Sequence, residues 1–217
     1  MSITLHSTAA LLVIDLQNDF CPAVNGTGGA LAVAGGHEIV PLINSLARAF
    51  PHVLVTQDWH PPAHISFASA HVGAQPYETI AAPYGSQTLW PDHCLQGSQG
   101  AAFHPALDLP QAEVILRKGF RPHIDSYSAF LENDHATPTG LAGYLRERGL
   151  RRLFLCGLAY DFCVRFSALD GAALGFECLV LEDATRAVNL PGSVEATDAA
   201  FATAGVRRIQ SADLLTR

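Results

Sequence analysis

The chain has 217 residues, with 13 lysines and arginines against 20 aspartates and glutamates, for a formal charge of −7. Hydrophobic residues make up 49% and charged residues only 15%, which excludes a disordered polypeptide, because this much apolar surface can offset the entropy of ordering. The acidic balance, with no run of basic residues, excludes nucleic acid and anionic membrane as partners, and no apolar stretch reaches the roughly 18–20 residues of a membrane span.

At the amino terminus, Met1–His6 has neither the basic region nor the small-residue cleavage site of a signal peptide, which predicts a cytoplasmic protein. The near-continuous apolar run Ala9–Ile14 predicts a strand covered on both faces and ends at Asp15. Ile39, Val40, Ile43 and Leu46 recur at helical spacing within 37–50, the first predicted helix, and a second strand is predicted over Val53–Thr56. From Gln57 to Ala112 the rhythm breaks: periodicity is weak, and Pro, His, Gly and aromatic residues accumulate. A connection this long in a compact domain is usually functional, and 57–112 is read as a metal- and substrate-binding loop region. Strand Val114–Leu116 follows, then a helix over Thr139–Arg148 that stops at Gly149. Next come strand Leu153–Cys156, helix Cys163–Leu174 stopping at Gly175, strand Cys178–Leu181, helix Val194–Ala204 stopping at Gly205, and a weaker strand over Val206–Ile209. Strands alternating with helices predict a parallel sheet with helices on both faces, and 1–217 is read as one domain. Ligands of such sheets sit beyond the carboxyl ends of the strands. Asp15, Asp58, Lys118 and the segment before Cys163 all fall at or just after such ends.

Four groups of residues carry chemistry. Asp15 ends an apolar strand, where a carboxylate is costly to desolvate unless paired; a site carboxylate and a turn cap are both open readings, and Asp19 reads as a local cap or hydrogen-bond anchor. Asp58-Trp59-His60, followed by His64 and by Trp90-Pro91-Asp92-His93-Cys94, offers a mixed carboxylate and imidazole set. Such a set suits Zn, Fe or Mn and leaves coordination positions open; His64 is a candidate extra ligand, and Cys94 reads more readily as packing. Lys118, at the mouth of the predicted site, is the one lysine among the 13 basic residues. Cys163 falls in the first turn of a predicted helix, where the macrodipole and free N–H groups lower a thiol pKa and can hold a developing oxyanion. The same position also suits a buried filler. Cys156 and Cys178 lie inside strand runs and read as core, Cys21 is unassigned, and an odd count of five cysteines without a CxxC pair argues against a disulfide framework. Taken together, these groups describe one site in which an Asp accepts the Cys proton and a Lys stabilises the thiolate or orients the Asp.

In this order, Asp15-x-Gln17-x-Asp19-Phe20, Asp58-Trp59-His60-Pro61, Trp90-Pro91-Asp92-His93-Cys94, Arg117-Lys118-Gly119, Asp125-Ser126-Tyr127-Ser128-Ala129-Phe130 and Gly157-Leu158-Ala159-x-Asp161-x-Cys163-Val164 resemble the nicotinamidase branch of the isochorismatase-like cysteine hydrolases. The resemblance runs from Ala10 to about Gln210. It implies an α/β fold, a three-layer α/β/α sandwich with a six-stranded, mainly parallel sheet. It implies a triad of Asp15, Lys118 and Cys163, and one divalent metal ion on Asp58, His60 and His93, zinc first with iron or manganese as alternatives. His64 matches a position that some members use as a ligand. A cis peptide at Leu158–Ala159 and an oxyanion hole from the N–H groups of Ala159 and Cys163 are implied as well. The substrate would be nicotinamide or a related aromatic amide such as pyrazinamide, flanked by Phe20, Trp90 and Tyr127. Hydrolysis through a cysteine thioester would yield nicotinate and ammonia for NAD salvage, and a homo-oligomer is left open. Tyr160 and Phe162 depart from the family pattern, and Tyr160 is expected at the pocket edge. A metal-independent amidohydrolase acting on a carbamoyl or ureido substrate is the nearest rival, and the Asp58, His60, His93 set argues against it. A catalytically silent binding protein would have lost part of the triad, all of which is present.

Overall fold

The computed structural model describes residues 3–23, 26 and 29–215, so Met1 and Ser2 of the amino-terminal segment lie outside the described residues. Strand β1 (Ile3–Thr4) leads into β2 (Ala9–Ile14), which is buried at every position. A 3-10 turn at Gly36–Ile39 opens into helix α1 (Val40–Ala49). The helix stops before Phe50 because Pro51 follows, and a residue before proline is pushed to extended geometry; Phe50 has ψ of 138°. Strand β3 (His52–Asp58) follows. The long aperiodic stretch contains a small antiparallel hairpin, β4 (Thr79–Ala82) and β5 (Gly85–Thr88). It escapes periodicity analysis because its strands are short and largely exposed.

Then come β6 (Val114–Lys118), α2 (Leu141–Glu147), β7 (Arg152–Leu158) and a wide π-type turn at Tyr160–Val164 that runs into α3 (Arg165–Ala173). Strand β8 (Glu177–Arg186), helix α4 (Ser193–Ala204), β9 (Arg207–Ile209) and β10 (Leu214–Leu215) complete the chain. Strand β10 pairs in parallel with β1.

The main sheet has six strands in the order β6-β3-β2-β7-β8-β9, every neighbouring pair parallel. One face packs Leu11, Val13, Val53 and Phe154 against Ile39, Ile43 and Leu46 from α1 and its leading turn. The other face packs Leu12, Leu54, Leu155 and Val180 against Leu141 and Leu145 of α2, Ala168 of α3 and Phe201 of α4. The result is a three-layer α/β/α sandwich. Strand β6 corrects one expectation: it is not covered on both faces. It is the sheet's edge, and Ile115 is 56% exposed.

The strand order reverses between β2 and β7, which lie side by side with Ile14 opposite Gly157. At that reversal the connections diverge to opposite faces and open a crevice at the carboxyl ends. Asp15 and the turn carrying Cys163 flank this crevice.

Candidate active site

Asp15 leaves β2 with a left-handed φ of 48°. Thr56 Oγ1 of neighbouring β3 donates to Asp15 Oδ1 at 2.6 Å. Lys118, the last residue of β6, is 1% exposed, and the β3–β6 register sets it opposite Asp58. Its Nζ lies 2.8 Å from Asp15 Oδ2, pairs with Asp58 Oδ1, donates to the Ser126 carbonyl at 3.1 Å and approaches Cys163 Sγ at 3.4 Å. One buried ammonium therefore joins two carboxylates to the thiol. The three residues predicted as a triad converge, although they are far apart in sequence.

The electrostatics follow from burial and this single cation. Burial raises Asp15 to about 6; Lys118 works against the rise and Asp58 adds to it. Burial would raise Asp58 too, but Lys118, His60 and His93 outweigh it and hold that carboxylate well below its usual range. Burial pulls Lys118 down, yet Asp15 and Asp58 keep it well above an ordinary lysine. The thiol corrects an expectation. Burial, opposed by Lys118, raises Cys163 well above the ordinary value rather than lowering it. Position at a helix start favours the thiolate, but enclosure costs it more. The resting site thus holds a protonated thiol within 4.8 Å of Asp15, a carboxylate whose raised value of about 6 leaves it ionised at neutral pH yet a stronger base than an ordinary aspartate.

Cys163 sits on the π-type turn, and not in a regular first α-turn. The Leu158–Ala159 peptide before it is cis. Among the described residues, the loop and cap hydrogen bonds use neither the Ala159 nor the Cys163 N–H.

Beside the thiol, Asp58, His60 and His93 bring one ligand atom each to within 4.8 Å of one another, all three buried. His60 Nδ1 faces the Gly119 carbonyl at 2.8 Å and His93 Nδ1 faces the Pro91 carbonyl at 2.8 Å. Carbonyls only accept, so both rings carry a proton on Nδ1 and turn Nε2 toward Asp58. The two Nε2 atoms lie 3.6 and 3.9 Å from Asp58 Oδ2. Two imidazole Nε2 atoms and an ionised carboxylate around one point fit a divalent cation of borderline character, which would take the place of any proton on Nε2. Gly119 is required here: its φ is +64°, and a Cβ would be driven into the His60 ring.

His64 stands behind His60, with ring centroids 4.4 Å apart, and forms a second, overlapping group with His60 and Asp125. Its nitrogens face Ser66 Oγ at 2.7 Å and the Ile124 carbonyl at 3.1 Å. Cys94 is buried and belongs to none of these ligand groups.

Thiol and candidate metal ligands face one narrow pocket. Phe20, Trp90 and Tyr127 line it, together with Leu31, Phe162 and Val188, which were not anticipated as wall residues, and Asp125. Trp90 Nε1 donates to Tyr127 Oη at 3.0 Å, and Trp90 meets Phe162 edge-on with centroids 4.8 Å apart. Tyr160 does not stand at the pocket edge. It turns the other way, meets Phe201 edge-on and donates to Asp198 at 2.5 Å. On a π-type turn, Tyr160 and Phe162 leave opposite sides, so of these two only Phe162 joins the pocket wall.

The isochorismatase domain family matches residues 9–211. A nicotinamidase of Acinetobacter baylyi is 51% identical over 209 residues, covering 96% of this chain and 95% of the relative. A solved nicotinamidase/pyrazinamidase of Acinetobacter baumannii superposes with a TM-score of 0.91 at 52% identity, covering 96% of this chain and 98% of the other. A pyrazinamidase of Pyrococcus horikoshii, solved in complex with zinc, superposes at 0.74 with 35% identity over 94% of this chain and 99% of the other.

Proposed function

We infer from a chain that belongs to the isochorismatase family that it is a nicotinamidase, hydrolysing nicotinamide to nicotinate and ammonia. One observation carries the reading. The Asp15–Lys118–Cys163 cluster and the Asp58, His60, His93 set open onto the same aromatic-walled pocket, and the chain matches two nicotinamidases at 51% and 52% identity over nearly their whole length.

The site geometry suggests the order of events. The pyridine ring lies among Phe20, Trp90, Tyr127 and Phe162, with its carboxamide over Cys163. Asp15 takes the thiol proton, and Lys118 balances the charge that appears on sulfur. The thiolate attacks the amide carbon, and the N–H groups of Ala159 and Cys163 hold the oxyanion. Asp15 returns the proton to the departing nitrogen, ammonia leaves, and a thioester on Cys163 remains. Asp15 then deprotonates a water that attacks the thioester carbon, releasing nicotinate and restoring the thiol.

Asp58, His60 and His93 are the ligands of one divalent ion, zinc first, with iron or manganese as alternatives. The zinc-bound pyrazinamidase at 35% identity supports zinc. When bound, the ion supplies a Lewis-acid anchor for the ring nitrogen, and so fixes the ring in place. Pyrazinamide, with a nitrogen in the corresponding place, is a second substrate. We read the chain as one domain, and nicotinate production suits a role in NAD salvage; a cytoplasmic location is part of the same proposal. No helix among the described residues is long and apolar enough to cross a membrane.

The test is ammonia release from nicotinamide by purified protein, with Cys163→Ala alongside and metal content measured on the same preparations. Release by the wild type, lost in the variant, is the expected result. No release from metal-replete protein would overturn the substrate, and release by Cys163→Ala near the wild-type rate would overturn the covalent route.

A further inference from the structure

The segment after β2 offers polar side chains at alternate residues, Asp15, Gln17 and Asp19. The mechanism uses only the first. Gln17 is completely buried and has an amide with one acceptor and two donor hydrogens to satisfy. Its Oε1 accepts from the Asp58 N–H at 2.8 Å, and its Nε2 donates to the Asp58 carbonyl at 2.8 Å and to the Ala101 carbonyl at 2.9 Å. A single side chain thereby grips both backbone groups of one candidate metal ligand, as a neighbouring strand would, at the point where β3 ends.

Asp19 makes the corresponding contact on the other side of the site. Its Oδ2 accepts from the Cys94 N–H at 2.7 Å. Cys94 follows the candidate ligand His93 directly and has a left-handed φ of 47°, an uncommon conformation that must be held by its surroundings. The Cys94 carbonyl in turn accepts from the His60 N–H at 3.0 Å. The peptides of two imidazole ligands are thus joined through Cys94, and Asp19 anchors the joint. Asp19 is seated by its own N–H, which donates to the Gly100 carbonyl at 3.0 Å. Only glycine fits at position 100, since a Cβ there would be driven into the Asp19 carboxylate.

We propose that Gln17 and Asp19 are positioning residues for the metal centre, fixing Asp58 and His93 relative to the base Asp15 through one short covalent segment. Residues 15, 17 and 19 act as a ruler: the first reaches the thiol, the second a carboxylate ligand and the third the backbone beside an imidazole ligand. The proposal rests on Asp58, His60 and His93 being the ligands. Outer partners of this kind typically set metal affinity by about 10–100-fold.

The test measures zinc affinity by competition with a chromophoric chelator, and the visible absorption of the cobalt-substituted protein. It compares wild type, Gln17→Met, Asp19→Ala, Asp19→Asn and a control, Leu145→Ala, which weakens the core on the α2 side of the sheet. Gln17→Met and Asp19→Ala are expected to lose about 10–100-fold in zinc affinity and to shift the cobalt bands. Asp19→Asn, whose amide oxygen still accepts from Cys94, is expected to stay close to wild type. Leu145→Ala is expected to lower the melting temperature and leave affinity and spectrum unchanged. Wild-type affinity and spectrum in Asp19→Ala would overturn the proposal, as would an equal loss in Leu145→Ala. If Gln17→Met does not fold, the Asp19→Ala and Asp19→Asn pair decides alone. A wild-type protein that takes up neither zinc nor cobalt would overturn the ligand assignment itself, a result distinct from unaltered binding in the variants.

Discussion

The thiol half of the pocket and the metal half are built differently. Asp15 and Lys118 stand at the ends of β2 and β6, and Cys163 one turn beyond β7, all in a sheet whose parallel register is fixed by continuous backbone pairing. His60, His93, Phe20 and Trp90 ride on segments with little regular structure. They are held instead by scattered side-chain and loop contacts, such as His60 to Gly119, His93 to Pro91 and Trp90 to Tyr127. Bond making needs donors and acceptors placed to a fraction of an ångström, and rigid elements supply that better than loops. Holding and admitting a ring tolerates a wall assembled from loops. The two halves meet at Asp58, which ends β3, pairs with Lys118 through one oxygen and faces both imidazoles with the other.

If the division is real, damage to each half has its own signature. The largest effect is expected from Cys163→Ala, which removes the nucleophile: turnover falls by at least about 10⁴-fold, while nicotinamide binding by calorimetry and metal content stay at wild-type levels. Loss of metal in that variant would show that the halves cannot be separated. Asp15→Asn cannot accept the thiol proton and is expected to lose about 10²–10⁴-fold in kcat. The sign of the pH dependence follows from the raised carboxyl. Asp15 is protonated below about 6 and useless as a base there, so kcat/KM falls on the acid side of that value. An acid limb unchanged in the residual activity of Asp15→Asn would assign it to another group.

Chelation attacks the other half. Removing the metal is expected to abolish nicotinamide turnover without altering the far-ultraviolet circular dichroism, because the sheet does not depend on the ligands. Readdition of the ion restores activity. A demonstrably metal-free protein with full activity would sink the metal role. A smaller effect is expected at the wall. Phe162→Ala opens the aromatic contact with Trp90 and Tyr127 and should raise KM for nicotinamide about tenfold, equivalent to about 1.4 kcal/mol, with a lesser change in kcat. Bulkier ring-substituted amides should gain relative to nicotinamide. A pure kcat effect would place Phe162 with the thiol half.

The same division governs what could be read in the sequence. Ala9–Ile14 is legible to the residue because a strand buried on both faces must be apolar throughout, and the carboxylate that ends it is conspicuous. Asp58-x-His60 stands out through residue type and position at a strand end, whereas the position of Cys163 alone suits a buried filler as well, and only the family resemblance singles it out. The β4–β5 hairpin was not, since a short, exposed pair of strands has no apolar pattern. The partners of Gln17 and Asp19 lie 41 and 75 residues away, and no local pattern encodes such contacts. The direction of the thiol shift is hidden from the sequence for a related reason: place in a helix is local, whereas desolvation is set by the whole surrounding pocket.

Tyr160 offers the smallest effect and the sharpest check, because it shares one turn with Cys163 yet belongs to the packed layer behind it. Its hydroxyl donates to Asp198, which also pairs with Arg208 at 2.7 Å, and its ring meets Phe201 with centroids 5.7 Å apart. Tyr160→Phe keeps the ring and deletes the hydrogen bond. Asp198 retains Arg208 and is itself partly exposed, so no buried charge is stranded, and the cost should be about 1 kcal/mol of unfolding free energy. Since the ring faces away from the pocket, kcat and KM for nicotinamide should not move. Denaturant unfolding and steady-state kinetics on the same preparation separate the two quantities. A change in KM without a change in stability would mean that the turn transmits what happens on its far side to Phe162 and Cys163, and the thiol half would then extend through the turn into α4.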